Sequence, residues 1–300
     1  MSRTVPVAVP RKGRPLEAVL ERLAAVAGVE ELADSVSSTL RYEKALTKGT
    51  QTAEHGPYER LAAYSDPTKP TAPEYTLFRD DREDFPRRIV FDSATVSVGD
   101  YDIRLIGREE PFRALRTHEF ALGFDSADLV LEEVVELQPA GLGSLAEINA
   151  RINPKDTDVR VVTGLGDTVY HTLMATPELL GEGVVLDRAF VNRYSGPLCI
   201  SPRYERLVQA VLGTDTTEEI EFVYPTESAT EEEAAVADVG LGVYLTMTGS
   251  TAREYGLVLG ENLFPSETVL MENQSETGAA AERIKTLLTE PAVETKLHVE

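Results

Sequence analysis

Val239-Gly240-Leu241-Gly242-Val243-Tyr244-Leu245, followed two residues later by Thr248-Gly249-Ser250-Thr251-Ala252-Arg253, is the stretch on which the reading of this chain turns. The apolar run predicts a buried strand. The turn after it gathers backbone N–H groups, small hydroxyl side chains and an arginine at one point. Such a concave set of donors suits a phosphate. Near the other end of the chain, Val5-Pro6-Val7-Ala8-Val9-Pro10 predicts a second short buried strand, and Arg11-Lys12-Gly13-Arg14 follows it directly. Two phosphate-suited segments in one acidic protein are accounted for by a phosphorylated substrate.

Working outward, Leu16, Val19, Leu20, Leu23 and Val26 fall at helical spacing over Pro15 to Ala27. Pro15 suits the first turn of that helix and Gly28 its end. Further strands are expected at Asp102–Ile106, Phe120–Phe124, Val159–Gly164, Tyr170–Ala175, Leu198–Ser201, Glu219–Tyr224 and Ser266–Asn273. Helices are expected at Glu110–Glu119, Ala127–Val135, Arg203–Leu212, Thr230–Val236 and Gly278–Leu288. The β–α alternation predicts an α/β protein of two lobes with mostly parallel sheets and a cleft between them, in the style of type II periplasmic binding proteins. Lobe I is expected over 1–185 plus 257–300, and lobe II, carrying the phosphate turn, over 186–256. The stretches 44–95, rich in Pro, Asp, Thr and Tyr, and 137–158, with Pro139, Gly141, Gly143 and Pro154, read as insertions of lobe I, the first as a passive surface loop or as a lid or oligomer contact.

The 300 residues carry 29 Lys and Arg against 51 Asp and Glu, a formal net charge of -22. That balance argues against a general nucleic-acid binder, which needs clustered cations, and against docking on anionic membranes. It fits either a high-salt cytoplasm or an ordinary acidic protein. The one cysteine, Cys199, excludes an intrachain disulfide and, set in Pro197-Leu198-Cys199-Ile200, reads as a small buried hydrophobe. No run of about 18 apolar residues occurs, which argues against a membrane span or signal peptide. The expected location is the cytoplasm, and a homo-oligomer is expected. His118 and His171 share no metal-ligand spacing with a cysteine and read as structural. Glu231-Glu232-Glu233 reads as a solvated helix start rather than a metal cluster.

The order of these segments resembles the ATP phosphoribosyltransferase family of histidine biosynthesis. Pro10-Arg11-Lys12-Gly13-Arg14-Pro15-Leu16 looks like the family's Pro-x-Lys-Gly-Arg-Leu opening, with a proline inserted. Arg108 to Asp128 is similar to its next helix-and-turn landmark, retaining Arg108, Leu122, Gly123 and Asp128. Leu165 to Glu178 resembles a further Gly-containing segment ending in Pro-Glu. Thr248 to Leu257 looks like its phosphate turn, and Ser266 to Leu270 like the strand after it. The match covers the chain in order except about 44–95 and 137–158. The chain departs from the pattern at Tyr244, where the family carries the aspartate that holds ribose hydroxyls, at Ala121, where another aspartate is usual, and at His118, where glycine is usual.

The resemblance implies transfer of a phosphoribosyl group to ATP with release of diphosphate, the first step of histidine biosynthesis, with Mg²⁺ as cofactor and ATP and phosphoribosyl diphosphate as partners. Thr248, Gly249, Ser250, Thr251, Ala252 and Arg253 would bind the 5′-phosphate. Lys12, Gly13, Arg14 and Arg108 would bind diphosphate or nucleotide phosphates. Glu231 and Tyr244 are candidates for the ribose contact left without its acid, and no metal ligand is assigned. Replacing Gly249 is expected to abolish phosphate binding with the fold intact. Two other readings stand beside this one: a catalytically silent paralogue that binds a phosphorylated ligand or regulates a partner, favoured by Tyr244 and Ala121, and a two-lobed solute-binding protein, against which the lack of an export signal counts.

Overall fold

The computed structural model describes residues 3–66, 68–69, 71–79, 87–137, 144–181, 183–225 and 232–290. In chain order the elements are β1 (Arg3–Pro10), α1 (Gly13–Ala27), α2 (Glu30–Thr47), α3 (Pro57–Tyr64), β2 (Glu74–Arg79), β3 (Arg87–Val98), β4 (Tyr101–Arg108), α4 (Pro111–Arg116), β5 (Leu122–Ser126), α5 (Ala127–Glu133), α6 (Leu145–Ala150), β6 (Val159–Gly164) and β7 (Val169–Ala175). There follow α7 (Pro177–Leu180), α8 (Arg188–Val191), β8 (Gly196–Ile200), a 3-10 turn (Pro202–Tyr204), α9 (Glu205–Leu212), α10 (Thr214–Thr217), β9 (Ile220–Val223), α11 (Glu232–Val239), β10 (Leu241–Thr246), α12 (Ser250–Glu254), β11 (Val258–Ser266), β12 (Thr268–Asn273) and α13 (Ala279–Thr289).

The fold is mixed α/β with two sheets. Among the described residues one sheet has seven strands in the order β2-β3-β4-β1-β5-β12-β6, and the other five in the order β11-β7-β10-β8-β9. Each contains a block of parallel strands. β1 pairs parallel with β4 and β5, and β8 pairs parallel with β10 and β9. The remaining pairs are antiparallel, so the parallel pairing expected from the β–α alternation holds in the middle of the seven-stranded sheet and over the β10-β8-β9 end of the five-stranded one, and not elsewhere. The reason is local at one margin. β3 and β4 are joined by only Gly99 and Asp100, with Val98 opposite Tyr101, and a two-residue link can join only antiparallel strands. The stretch 44–95 is no structureless insertion: it supplies α3, β2 and most of β3, and β2 and β3 extend the seven-stranded sheet.

The described residues divide into two compact units, one within 1–126, 154–167 and 268–295, the other within 127–153 and 168–267. These differ from the expected boundaries at 185/186 and 256/257. β7 pairs with β10 from Tyr170 to Ala175, and β11 pairs with β7, so sheet pairing draws 168–185 and 257–267 into the second unit. The stretch 144–153, expected in lobe I, also lies there. In the first unit β1 buries Val5, Val7 and Val9 against Leu16, Leu20 and Leu23 of α1. Burying side chains of that size stabilises by about 1.5–3 kcal/mol each, which is what the helical spacing of those leucines accomplishes. In the second unit Met174, Cys199, Val236, Tyr244, Ala252 and Leu257 form one buried cluster. Among the described residues no helix is long and apolar enough to cross a membrane.

Candidate functional site: two anion-suited loops

β10 ends at Thr246 and the chain turns through Met247, Thr248 and Gly249 into α12. Gly249 sits at φ 68°, ψ 14° as the residue before that short helix. A Cβ there would lie 2.3 Å from Leu259 Cδ1, and φ is left-handed, so glycine alone fits without strain. The side chains of Thr248 and Ser250 are exposed, and their hydroxyls lie 3.0 Å apart. Thr251 is half-buried and Ala252 fills the core below. The first bond of the helical ladder runs from Arg253 N–H to the Gly249 carbonyl at 3.1 Å. The N–H groups of residues 250–252 therefore have no acceptor within the helix; that of Ser250 meets the Thr248 hydroxyl only at 3.4 Å. Arg253 folds back and donates from Nη2 to the Thr248 carbonyl at 3.0 Å, so its guanidinium stands over the turn.

The amino-terminal segment is held in the first unit. Phe91 N–H donates to the Arg11 carbonyl at 3.0 Å, and Arg11 Nε to the Gly107 carbonyl at 3.2 Å. The approach is close enough that a Cβ on Gly107 would lie 2.9 Å from Arg11 Cγ. Lys12 and Gly13 are exposed at the start of α1, Gly13 with φ 79°. Arg14 is different. Its Nη1 donates to the Asp167 carboxylate and, at 2.7 Å, to the Asp167 carbonyl. Asp167 also accepts from the Thr268 N–H at 2.8 Å and its hydroxyl at 2.7 Å. Arg14 is thus part of a structural knot, which revises the expectation that it faces a ligand. Arg108 lies 3.6 Å from Glu119 and over the Phe120 ring at 5.0 Å. The two anion-suited segments fall in different units.

Of the two candidate ribose contacts, Glu231 lies outside the described residues. Tyr244 is a correction. It is 3% exposed inside the second unit's core, its hydroxyl 3.8 Å from Cys199 Sγ. Burial first, then the neighbouring thiol, pushes its phenol far above the ordinary range. It fills space and offers nothing to a sugar. Cys199 is buried as expected, its thiol pushed up by burial.

The sequence missed one buried pair. His171 Nε2 lies 2.8 Å from Asp128 Oδ2, both residues almost wholly buried, and the imidazole stacks on Phe264 at 4.4 Å. The structural reading of His171 holds, but its partner is 43 residues away and no local pattern could have named it. His118 takes φ 62°, a left-handed value uncommon outside glycine.

The fold and the turn together define a mixed α/β protein of two sheets whose exposed, glycine-dependent turn of donors suits an anion. The chain belongs to the halobacterial ATP phosphoribosyltransferase family, whose family model matches residues 1–299. Among solved structures it is similar to the ATP phosphoribosyl transferase (HisG:HisZ) complex from Thermotoga maritima, at 13% identity over 95% of this chain and 97% of that one, with a TM-score of 0.43. It is also similar to two structures of the regulatory domain of MetR, a LysR family regulator from N. meningitidis. One has 13% identity over 63% of this chain and 80% of that one, TM-score 0.36; the other has 10% over 96% and 92%, TM-score 0.38. At such TM-scores these likenesses add nothing to the assignment. No curated protein matches the chain.

Proposed function

We propose that this protein condenses ATP with phosphoribosyl diphosphate, releasing diphosphate in the first step of histidine biosynthesis. The observation that carries the reading is the family match across residues 1–299. In the reaction the lone pair of adenine N1 forms a bond to C1 of the ribose while the bond from C1 to the diphosphate oxygen breaks, its electron pair leaving with diphosphate. Such a displacement asks the protein for positioning and for cations on the departing group. The Thr248–Arg253 turn suits the 5′-phosphate: exposed hydroxyls on Thr248 and Ser250, N–H groups at the start of α12, and Arg253 close by. Lys12 and Gly13 remain the candidates in the amino-terminal segment for diphosphate or nucleotide charge, with Arg108 a further one.

Among the described residues no group of three or more His, Cys, Asp or Glu could hold a metal ion. The resemblance implies Mg²⁺, which would supply positive charge to the departing diphosphate. We further propose a cytoplasmic location and a homo-oligomer.

One observation favours a second reading, a silent paralogue that binds a phosphorylated ligand. Tyr244, which the resemblance sets at the position of the family's ribose-binding acid, is sealed in the core. One experiment separates the two: incubation with phosphoribosyl diphosphate, ATP and Mg²⁺, with diphosphate release as readout. Turnover supports the transferase. A rise in melting temperature with ligand and no diphosphate supports the silent reading.

A further inference from the structure

The parallel pairing of β8 with β10, Cys199 beside Gly242 and Ile200 beside Val243, brings together the loops that leave their carboxyl ends. Ligands of open α/β sheets bind outside those ends. One loop is the Thr248–Arg253 turn. The other runs from Ser201 into the 3-10 turn Pro202–Tyr204, and it carries Arg203.

The register locates Arg203. Leu245 of β10 is paired with His171 of β7, and Tyr204 sets its ring edge-on to His171 with centroids 4.7 Å apart. β10 lies between β8 and β7. The turn that follows β8 therefore carries Tyr204 to the side chains of β7 near the level of Leu245, one residue before the end of β10. Arg203, one residue before Tyr204, is carried on that same turn, on the side of the sheet's carboxyl ends from which the phosphate turn also leaves. The arginine is exposed, and among the described residues its side chain makes no ion pair or hydrogen bond. Its acidic neighbour does not neutralise it: Glu205 accepts from the Tyr224 hydroxyl at 2.6 Å and from Gln209 at 3.1 Å. Other arginines of the second unit are committed, Arg206 to carbonyls and Arg188 to Glu261.

We infer that Arg203 is a further anion-binding residue, holding the diphosphate of phosphoribosyl diphosphate while the neighbouring turn holds the 5′-phosphate. The assignment rests on the phosphoribosyltransferase reading above. A guanidinium presents a planar fork of donors that matches paired phosphoryl oxygens, which an ammonium does not.

The test is calorimetric titration of the full chain with phosphoribosyl diphosphate and, separately, with ribose 5-phosphate. The proteins compared are wild type, Arg203→Ala, Arg203→Lys and Arg193→Ala. Arg193 is an exposed arginine before the opposite, amino end of β8 and controls for loss of one positive charge. Arg203→Ala is expected to weaken phosphoribosyl diphosphate about tenfold or more, Arg203→Lys less, and neither to change ribose 5-phosphate beyond about twofold. Arg193→Ala is expected to change neither. The inference falls if Arg203→Ala binds phosphoribosyl diphosphate as wild type does, if Arg193→Ala weakens it equally, or if ribose 5-phosphate is weakened to the same degree. If wild-type protein binds neither ligand, the phosphoribosyltransferase reading itself fails and Arg203 loses its role with it.

Discussion

Arg206 and Glu132 cap each other's helices. The Arg206 guanidinium donates to the carbonyls of Leu131, Glu132 and Val135 at the end of α5, with distances of 2.6–3.1 Å. The Glu132 carboxylate accepts from the backbone N–H groups of Arg206 and Leu207 at the start of α9, at 3.2 and 2.6 Å. Each charge sits where the helix end has the opposite partial charge. Arg206→Ala strands several carbonyls at once and should cost about 2–3 kcal/mol. Denaturant midpoints read it; an unchanged midpoint would mean that water replaces the arginine freely.

The same pair sets a pH dependence. Burial, the larger influence, raises the Glu132 carboxyl above the ordinary glutamate range, and the N–H groups of Leu207 and Arg206 only partly offset it. A carboxyl raised in the folded state binds its proton more tightly there than in the unfolded chain. Its contribution is fully present below the unfolded value and is lost as pH rises through the folded one. Wild type minus Glu132→Gln, measured as stability against pH, should therefore decline from the ordinary glutamate range upward. A flat or rising difference would contradict the assignment.

Tyr244 gives a sharper contrast. Tyr244→Phe removes only a 3.8 Å contact with Cys199 and should change stability by less than about 1 kcal/mol. Tyr244→Asp, which restores the family's acid, places a carboxylate among Met174, Val236 and Leu257 and should cost about 4 kcal/mol or more. The acid is then expected to unfold the second unit rather than to rescue catalysis. A well-folded Tyr244→Asp protein with raised turnover would overturn this.

How far these features could be read in advance varies with the range of the interactions behind them. β1 and α1 were legible because Val5, Val7 and Val9 alternate and Leu16, Leu20 and Leu23 share a helix face. The phosphate turn was legible because its glycine and hydroxyls are local. β11 was not: Gly260 and Pro265 break its pattern, and its pairing with β7 shifts register twice. The unit boundaries were equally hidden, since 126/127, 167/168 and 267/268 are defined by which sheet each neighbour joins. The commitment of Arg14 to Asp167 spans 153 residues, and that of Tyr244 to Cys199 spans 45; no window of sequence contains either pair.

At the turn itself, Gly249→Val and Ser250→Ala should behave differently. The valine brings a Cβ within 2.3 Å of Leu259 Cδ1 at a left-handed φ, so it destabilises the fold as well as the turn, and the expectation of an intact fold does not hold there. Ser250 is exposed, and its replacement should leave the melting temperature unchanged while weakening ribose 5-phosphate several-fold. Equal affinity in Ser250→Ala would leave the hydroxyl without a role.

The net charge of -22 makes stability a function of salt. Diluting KCl from about 1 M to about 0.1 M lengthens the Debye screening distance from about 3 Å to about 10 Å, and self-repulsion grows with it. Loss of circular dichroism and of cooperative melting on dilution is expected. Retention of both at low salt would mark the acidity as ordinary.

β12 lies between β5 and β6, yet it is made last, almost 150 residues after β5. As the chain leaves the ribosome, β6 has no neighbour to join until residues 268–273 emerge. The five strands of the other sheet, by contrast, are all synthesised before them. The unit that holds the amino terminus is therefore the one that must finish second, and any premature stop before Thr268 leaves it with an open edge at β5, a template for pairing with other unfinished chains.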